Sequence, residues 1–305
     1  MDRLLRLPAV RGGAWALLAA TLFGLSTPLV QRFGNGLGPL ATAALLYAGA
    51  ALAAAPWLRP AAREARLRQS DTPRLLAMAA TGAALGAVAL AWGLQRTSGA
   101  SASLMLTLEA LFTALLAWRW YGEEMDRKVV AAMMLLTAGG AVLVIEQGLA
   151  GGVQALGLLA ILLATIAWGV DNTLSRGVAD RDPAQVVIAK AVLGAAFTTI
   201  LAWASSEPWP AGQQLVALLA VGATGYGLSL RCYLLAQRTF GAARTGSVFA
   251  FAPGKAARNS VSASITRRSV IGSPPCRLSR SRCRLRAHRP MPGTHQALRS
   301  WTAGL

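Results

Sequence analysis

Four residues combine charge or amide chemistry with surroundings too apolar to solvate them: Glu109, Asp171, Asn172 and Lys190. Glu109 is embedded in SASLMLTLEALFTALLAWRWYGEE, Ser101 to Glu124; Asp171 and Asn172 end one apolar run, and Lys190 sits in the first half of the next. A charge at the centre of a bilayer costs roughly 3 kcal/mol or more, so such groups persist where they bind or carry something. In a cavity, Glu109 could accept a proton or a cationic substrate, and Lys190 could neutralise either carboxylate. The competing expectation is structural: Glu109 pairs for packing, while Asp171 and Arg231 reach an interface. No phosphate-binding loop, dinucleotide fingerprint, HExxH helix or nucleophile elbow occurs, so the chain reads as a non-enzyme without a cofactor. Cys276, Cys283, His288 and His295 fit no zinc-finger spacing, and no metal site is expected.

The elements that must position these groups follow from composition. The chain is 54% hydrophobic and only 14% charged over 305 residues, too apolar for a soluble domain of this length. About 20 apolar residues cross a bilayer as a helix, the one open-ended element that satisfies its own backbone in lipid. Runs of that length fall at 12–32, 38–57, 75–95, 100–120, 128–146, 155–174, 184–204 and 213–236. An all-α membrane protein of about eight transmembrane helices is predicted. The first run lacks a small-residue cleavage site and is expected to be a span, not a removable signal.

Basic residues set the expected orientation. Arg3, Arg6 and Arg11 precede the first run, Arg59, Arg63, Arg66, Arg68 and Arg74 separate the second from the third, Arg127 and Lys128 follow the fourth, and Arg176 and Arg181 follow the sixth. All fall on one side if the N-terminus is cytoplasmic, leaving Arg32 and Arg96 near the other face. A multi-pass protein of the plasma (inner) membrane is expected. The net charge of +18 is no sign of a nucleic-acid partner: eleven basic residues and no acid lie beyond Pro253, leaving +7 for the first 253. That basic tail, 254–305, has only Trp301 on which a base could stack and is expected to be disordered.

The chain echoes itself. GLQRTSGASAS, Gly93 to Ser103, returns within LLAQRTFGAARTGS, Leu234 to Ser247, with Gln95 and Gln237 142 positions apart. LLAATLFG ending at Gly24 returns as LLATIAWG ending at Gly169, 145 positions on. Five runs precede the second copy, so it starts from the opposite side: an inverted repeat of five-helix units. Gly82 and Gly86, and Gly222, Gly225 and Gly227, are expected at close helix crossings. Trp15, Trp92, Trp118, Trp120 and Trp168 could stack on a substrate, although most are expected to anchor span ends.

WALLAATLFGLSTP (Trp15 to Pro28), the Ser101–Glu124 stretch and GAARTGSVFAFAP (Gly241 to Pro253) resemble the EamA family of the drug/metabolite transporter (DMT) superfamily. The resemblance spans about residues 12–253. It implies ten helices in two repeats that move small metabolites or drugs by alternating access, with a small-molecule substrate, the lipid bilayer as solvent and room for a homo-oligomer. Repeats at 12–149 and 153–253 are expected. After Pro253 the pattern is lost: the second unit is truncated, its ninth helix cut short and its tenth absent, as a shifted reading frame in a GC-rich gene would produce. The alternative is a membrane protein without transport activity, a degenerate product or an assembly partner.

Overall fold

Proline and glycine place the helix boundaries before packing is considered. Pro39 and Pro183 sit at helix starts, where a missing N–H costs nothing, and Asp182 caps its helix by accepting from Ala184 N at 2.9 Å. The structure, a computed structural model, describes residues 8–58, 64–124, 127–150 and 152–249. In chain order these form α1 (Pro8–Phe33), α2 (Pro39–Ala54), α3 (Gln69–Leu94), α4 (Gly99–Tyr121), α5 (Arg127–Ala150), α6 (Gly152–Arg176), α7 (Pro183–Ala204) and α8 (Gly212–Phe249). All the described residues belong to one compact unit, Met1–Ile265. The expected tail, the break at Pro253 and the Cys276, Cys283, His288 and His295 set lie outside the described residues, as do Arg3, Arg6, Arg59 and Arg63.

Seven helices among the described residues are long and apolar enough to cross a membrane. The further span expected at 128–146 is also helical: α5 has 24 residues and reaches about 36 Å. The chain is thus an all-α membrane protein. Leu17, Leu52, Ile200, Trp203 and Val216 are each more than half exposed, an arrangement that water would penalise and lipid solvates.

Packing is organised around two helices. The second helix lies against α7 and α8, and α6 lies against α3, α4 and α5. Two stretches widen from α-helical to π-helical winding, Ala79–Gly86 in α3 and Gly222–Leu228 in α8. They begin 143 positions apart, inside the 142–145 offset of the sequence echoes. Such widened turns release carbonyls from the helical ladder and cluster at functional sites. The glycines expected at crossings lie in or beside them: Gly82 faces Asp171, Gly86 faces Trp168 and Gly222 faces the Leu46 backbone, each with no space for a Cβ.

The 38 residues of α8 span about 57 Å at helical rise, far more than a bilayer of about 30 Å requires. Gly241 resolves this. Its φ of +78° breaks the run, and the residues after it form a separate helical start. That start is capped from the segment just after α4: Ala242 N and Ala243 N donate to the two carboxylate oxygens of Glu123 at 2.9 and 2.8 Å. At the opposite end of the bundle Glu207 does the same for α2, accepting from Ala41 N at 2.8 Å and Leu40 N at 3.4 Å.

Polar contacts tie the helix ends. At the Glu123 end, Arg181 pairs with Asp71 at 2.9 Å, Arg238 with Glu64 at 2.9 Å and Arg176 with Glu123 at 3.6 Å. At the Glu207 end, Gln31 donates to the carbonyls of Leu94 and Thr97, Gln95 to those of Gly34 and Leu37, and Gln214 to that of Phe33.

Candidate substrate site in the bundle core

The site starts from a break in α4. Thr107 and Leu108 interrupt the helix in mid-span, and a second helical segment, Glu109–Tyr121, begins at the acid itself. A carboxylate at a helix N-terminus faces the positive end of the backbone dipoles, which offsets part of the burial cost. Glu109 is 6% exposed. Asn172 of α6 donates to Glu109 Oε1 at 2.6 Å, and Gln237 of α8 fixes the Asn172 backbone by donating to its carbonyl at 2.8 Å.

At the adjacent position of α6, Asp171 Oδ2 accepts from Lys190 Nζ of α7, with each side chain 3% exposed. Asp171 therefore does not reach an interface, contrary to the snorkelling expectation. Arg231 lies apart from this pair, with its guanidinium 4.3 Å from the Trp57 ring centroid. Thus Glu109, Asp171, Asn172 and Lys190 line one cavity, and Arg231 does not.

Aromatic rings complete the wall. Phe23, Tyr47, Trp168, Tyr226, Tyr233 and Phe249 surround the charged groups, with Phe23 edge-on to Trp168 at 5.2 Å and Tyr47 edge-on to Tyr226 at 5.6 Å. The π-helical turn of α3 supplies the pivot: Gly82 O accepts from Trp168 Nε1 at 2.9 Å and from Tyr47 Oη at 3.1 Å. Several buried polar atoms on or beside the wall have no partner among the described residues, namely Asp171 Oδ1, Tyr226 Oη, Tyr233 Oη and Gln237 Oε1. The free volume is about 50 Å³, enough for water or one small ligand group. Among the described residues no cluster of three or more metal-ligating side chains occurs.

Trp168 is buried in this wall, whereas Trp118 and Trp120 are exposed as span-end anchors would be. The sequence reading missed the tyrosines. The chain has four, and three of them line the cavity. Tyrosine in a membrane protein ordinarily marks the interface, so the mid-span placement of Tyr47 and Tyr226 was the available signal, and Tyr233 at the end of its run gave none.

The sequence model of the EamA-like transporter family matches residues 10–145 and again 155–257. The chain belongs to the EamA-like transporter family. That family is part of the drug/metabolite transporter superfamily. A solved structure, titled only "Crystal structure of protein", is similar in fold at a TM-score of 0.63 and 20% identity, covering 88% of this chain and 92% of that one. No curated protein matches. Both EamA segments contribute to the cavity: Glu109 lies in the first, and Asp171, Asn172 and Lys190 lie in the second.

Proposed function

We propose that this EamA protein carries a small metabolite or drug-like molecule across the plasma (inner) membrane by alternating access, with Glu109, Asp171, Asn172 and Lys190 at the substrate site. The observation that carries the reading is the burial of two carboxylates and a lysine in mid-bundle, in one aromatic-walled cavity. Sequestering three ionisable groups from water costs several kcal/mol each before pairing, and packing alone supplies no reason to keep them. Lys190 neutralises Asp171. Among the described residues the Glu109 carboxylate has only the neutral Asn172 amide as partner, so it is the group free to exchange a proton or meet a cationic substrate group.

Alternating access follows from the duplication. The echoes at 142–145 positions and the two π-helical stretches 143 apart support two repeat units of opposite topology, the second truncated, that rock about the cavity between them. A free volume of about 50 Å³ is too small for a metabolite, so loading requires the helices to part. The glycine-lined crossings of α2 with α8 and α3 with α6 offer smooth surfaces for that sliding. The basic residues Arg66, Arg68, Arg74, Arg176 and Arg181 support a cytoplasmic N-terminus.

Uptake and efflux of a metabolite panel by proteoliposomes bearing the whole chain test this function. Saturable movement of a solute, lost in Glu109→Gln, supports it. Absence of transport across the panel in both directions, by protein shown to be folded and inserted, favours a membrane protein without transport activity.

A further inference from the structure

The motif Gln-Arg-Thr-x-Gly-Ala occurs at Gln95–Ala100 and Gln237–Ala242, each time where one span gives way to the next. The second copy is built around carboxylates. Arg238 pairs with Glu64, and the N–H groups of Ala242 and Ala243 hold Glu123. In the first copy no acid lies against the corresponding arginine and Ala100 N–H among the described residues, while Ser101 N–H, the counterpart of Ala243 N–H, is capped locally. Among the described residues Arg96 has no ion pair: its guanidinium stacks on Trp92 at 3.7 Å and donates one N–H to Trp92 O at 2.9 Å. Ser98 Oγ takes the Ser101 N–H at 3.0 Å, which leaves the Gly99 and Ala100 N–H groups at the start of α4 without an acceptor among the described residues.

Two further observations point to a ligand. Thr97 is 8% exposed, yet its Oγ1 has no hydrogen-bond partner among the described residues. Arg96, Thr97 and Ser98 line a polar cavity of about 350 Å³ together with Asn35 and Gln154, ample for a small organic acid. The Gln31 and Gln95 side-chain NH2 groups on its wall donate to carbonyls, and the Gln31 amide oxygen, a neutral acceptor, lies beside Gly99 where an oxyanion would displace it.

We propose that this cavity, at the Glu207 end of the bundle and separate from the Glu109 cavity, binds a small oxyanion, a carboxylate or phosphate group. Arg96 supplies the charge, the Thr97 hydroxyl donates one hydrogen bond, and the first N–H groups of α4 supply the dipole end that Glu123 occupies in the second copy. A dissolved acid and a lipid headgroup phosphate share this chemistry.

Thermal unfolding of the full chain in a neutral detergent tests the proposal, with acetate or inorganic phosphate set against chloride at equal ionic strength and pH. A saturable rise in midpoint with the oxyanions is expected, with half-saturation shifted at least tenfold in Arg96→Gln. Gln154→Glu, which brings a carboxylate into the cavity from α6, is expected to raise the midpoint without added anion and to remove the response. In nanodiscs, loss of the acetate response on adding phosphatidylglycerol to phosphatidylcholine assigns the site to a headgroup phosphate; a response unchanged by the anionic lipid assigns it to a dissolved anion. No response to acetate, phosphate or anionic lipid, or a response that survives in both variants, overturns the proposal.

Discussion

Lys190 and Asp171 meet inside the bundle, joining α7 to α6 where neither side chain has access to solvent. A pair in that setting is conspicuous less for its net worth than for the damage done by removing half of it. Lys190→Met strands a buried carboxylate and Asp171→Asn a buried ammonium, each expected to lower stability by about 3–5 kcal/mol. The double variant removes both charges and is expected to lose much less than either single one. Thermal or denaturant unfolding of the four proteins in one detergent measures the coupling; equal and additive losses would show that the two groups act independently.

Glu109 offers the opposite separation, of function from stability. Glu109→Gln keeps a side-chain oxygen to accept from Asn172, so the substitution is expected to change stability by no more than about 1 kcal/mol. Transport is expected to disappear, because an amide neither exchanges a proton nor balances a cation. Wild-type transport rates in a normally inserted Glu109→Gln protein would return Glu109 to a packing role.

Legibility of the chain divides along physical lines. Spans were readable because lipid requires nearly continuous apolar helices, and all eight expected runs are helical. Charged groups in the core were readable for the converse reason, since one Glu or Lys in an apolar run has few explanations. What composition does not encode is the company a residue keeps. Tyr226 and Tyr233 look interfacial as isolated letters, and only the crossing of α8 with α1 and α2 turns them inward. The π-helical turns were equally hidden: Ala79–Gly86 has the composition of any small-residue stripe, and its widened winding follows from close packing against Asp171 and Trp168. The capping roles of Glu123 and Glu207 were hidden too, because their backbone partners lie 119 and 166 positions away along the chain.

Orientation is accessible to reporters. Asp71, close to Arg68 in the chain, pairs with Arg181, so fusions after Arg68 and after Arg181 must agree with each other. Both are expected to read cytoplasmic, and one near Pro208, beside the Glu207 cap, external. Agreement of all three on one side would contradict the helical order; a cytoplasmic reading at Pro208 alone, with the other two external, would invert the orientation.

The Glu123 cap depends on the backbone it serves. Gly241 adopts φ +78°, and a Cβ there would lie about 2.5 Å from the Glu123 carboxylate. Gly36 has nearly the same backbone, φ +80°, with open space where a Cβ would go. Gly36→Ala therefore carries only the conformational penalty of a left-handed non-glycine residue, about 1–2 kcal/mol. Gly241→Ala carries that penalty and also displaces the carboxylate from the Ala242 and Ala243 N–H groups, a loss of about 1–2 kcal/mol more. Removing the acid first with Glu123→Ala should erase the extra increment, so that Gly241→Ala in that background costs no more than Gly36→Ala. Unfolding midpoints of these variants decide the matter: equal losses for Gly36→Ala and Gly241→Ala in the wild-type background would mean that the contact between Glu123 and the helical start after Gly241 contributes nothing to holding the bundle together.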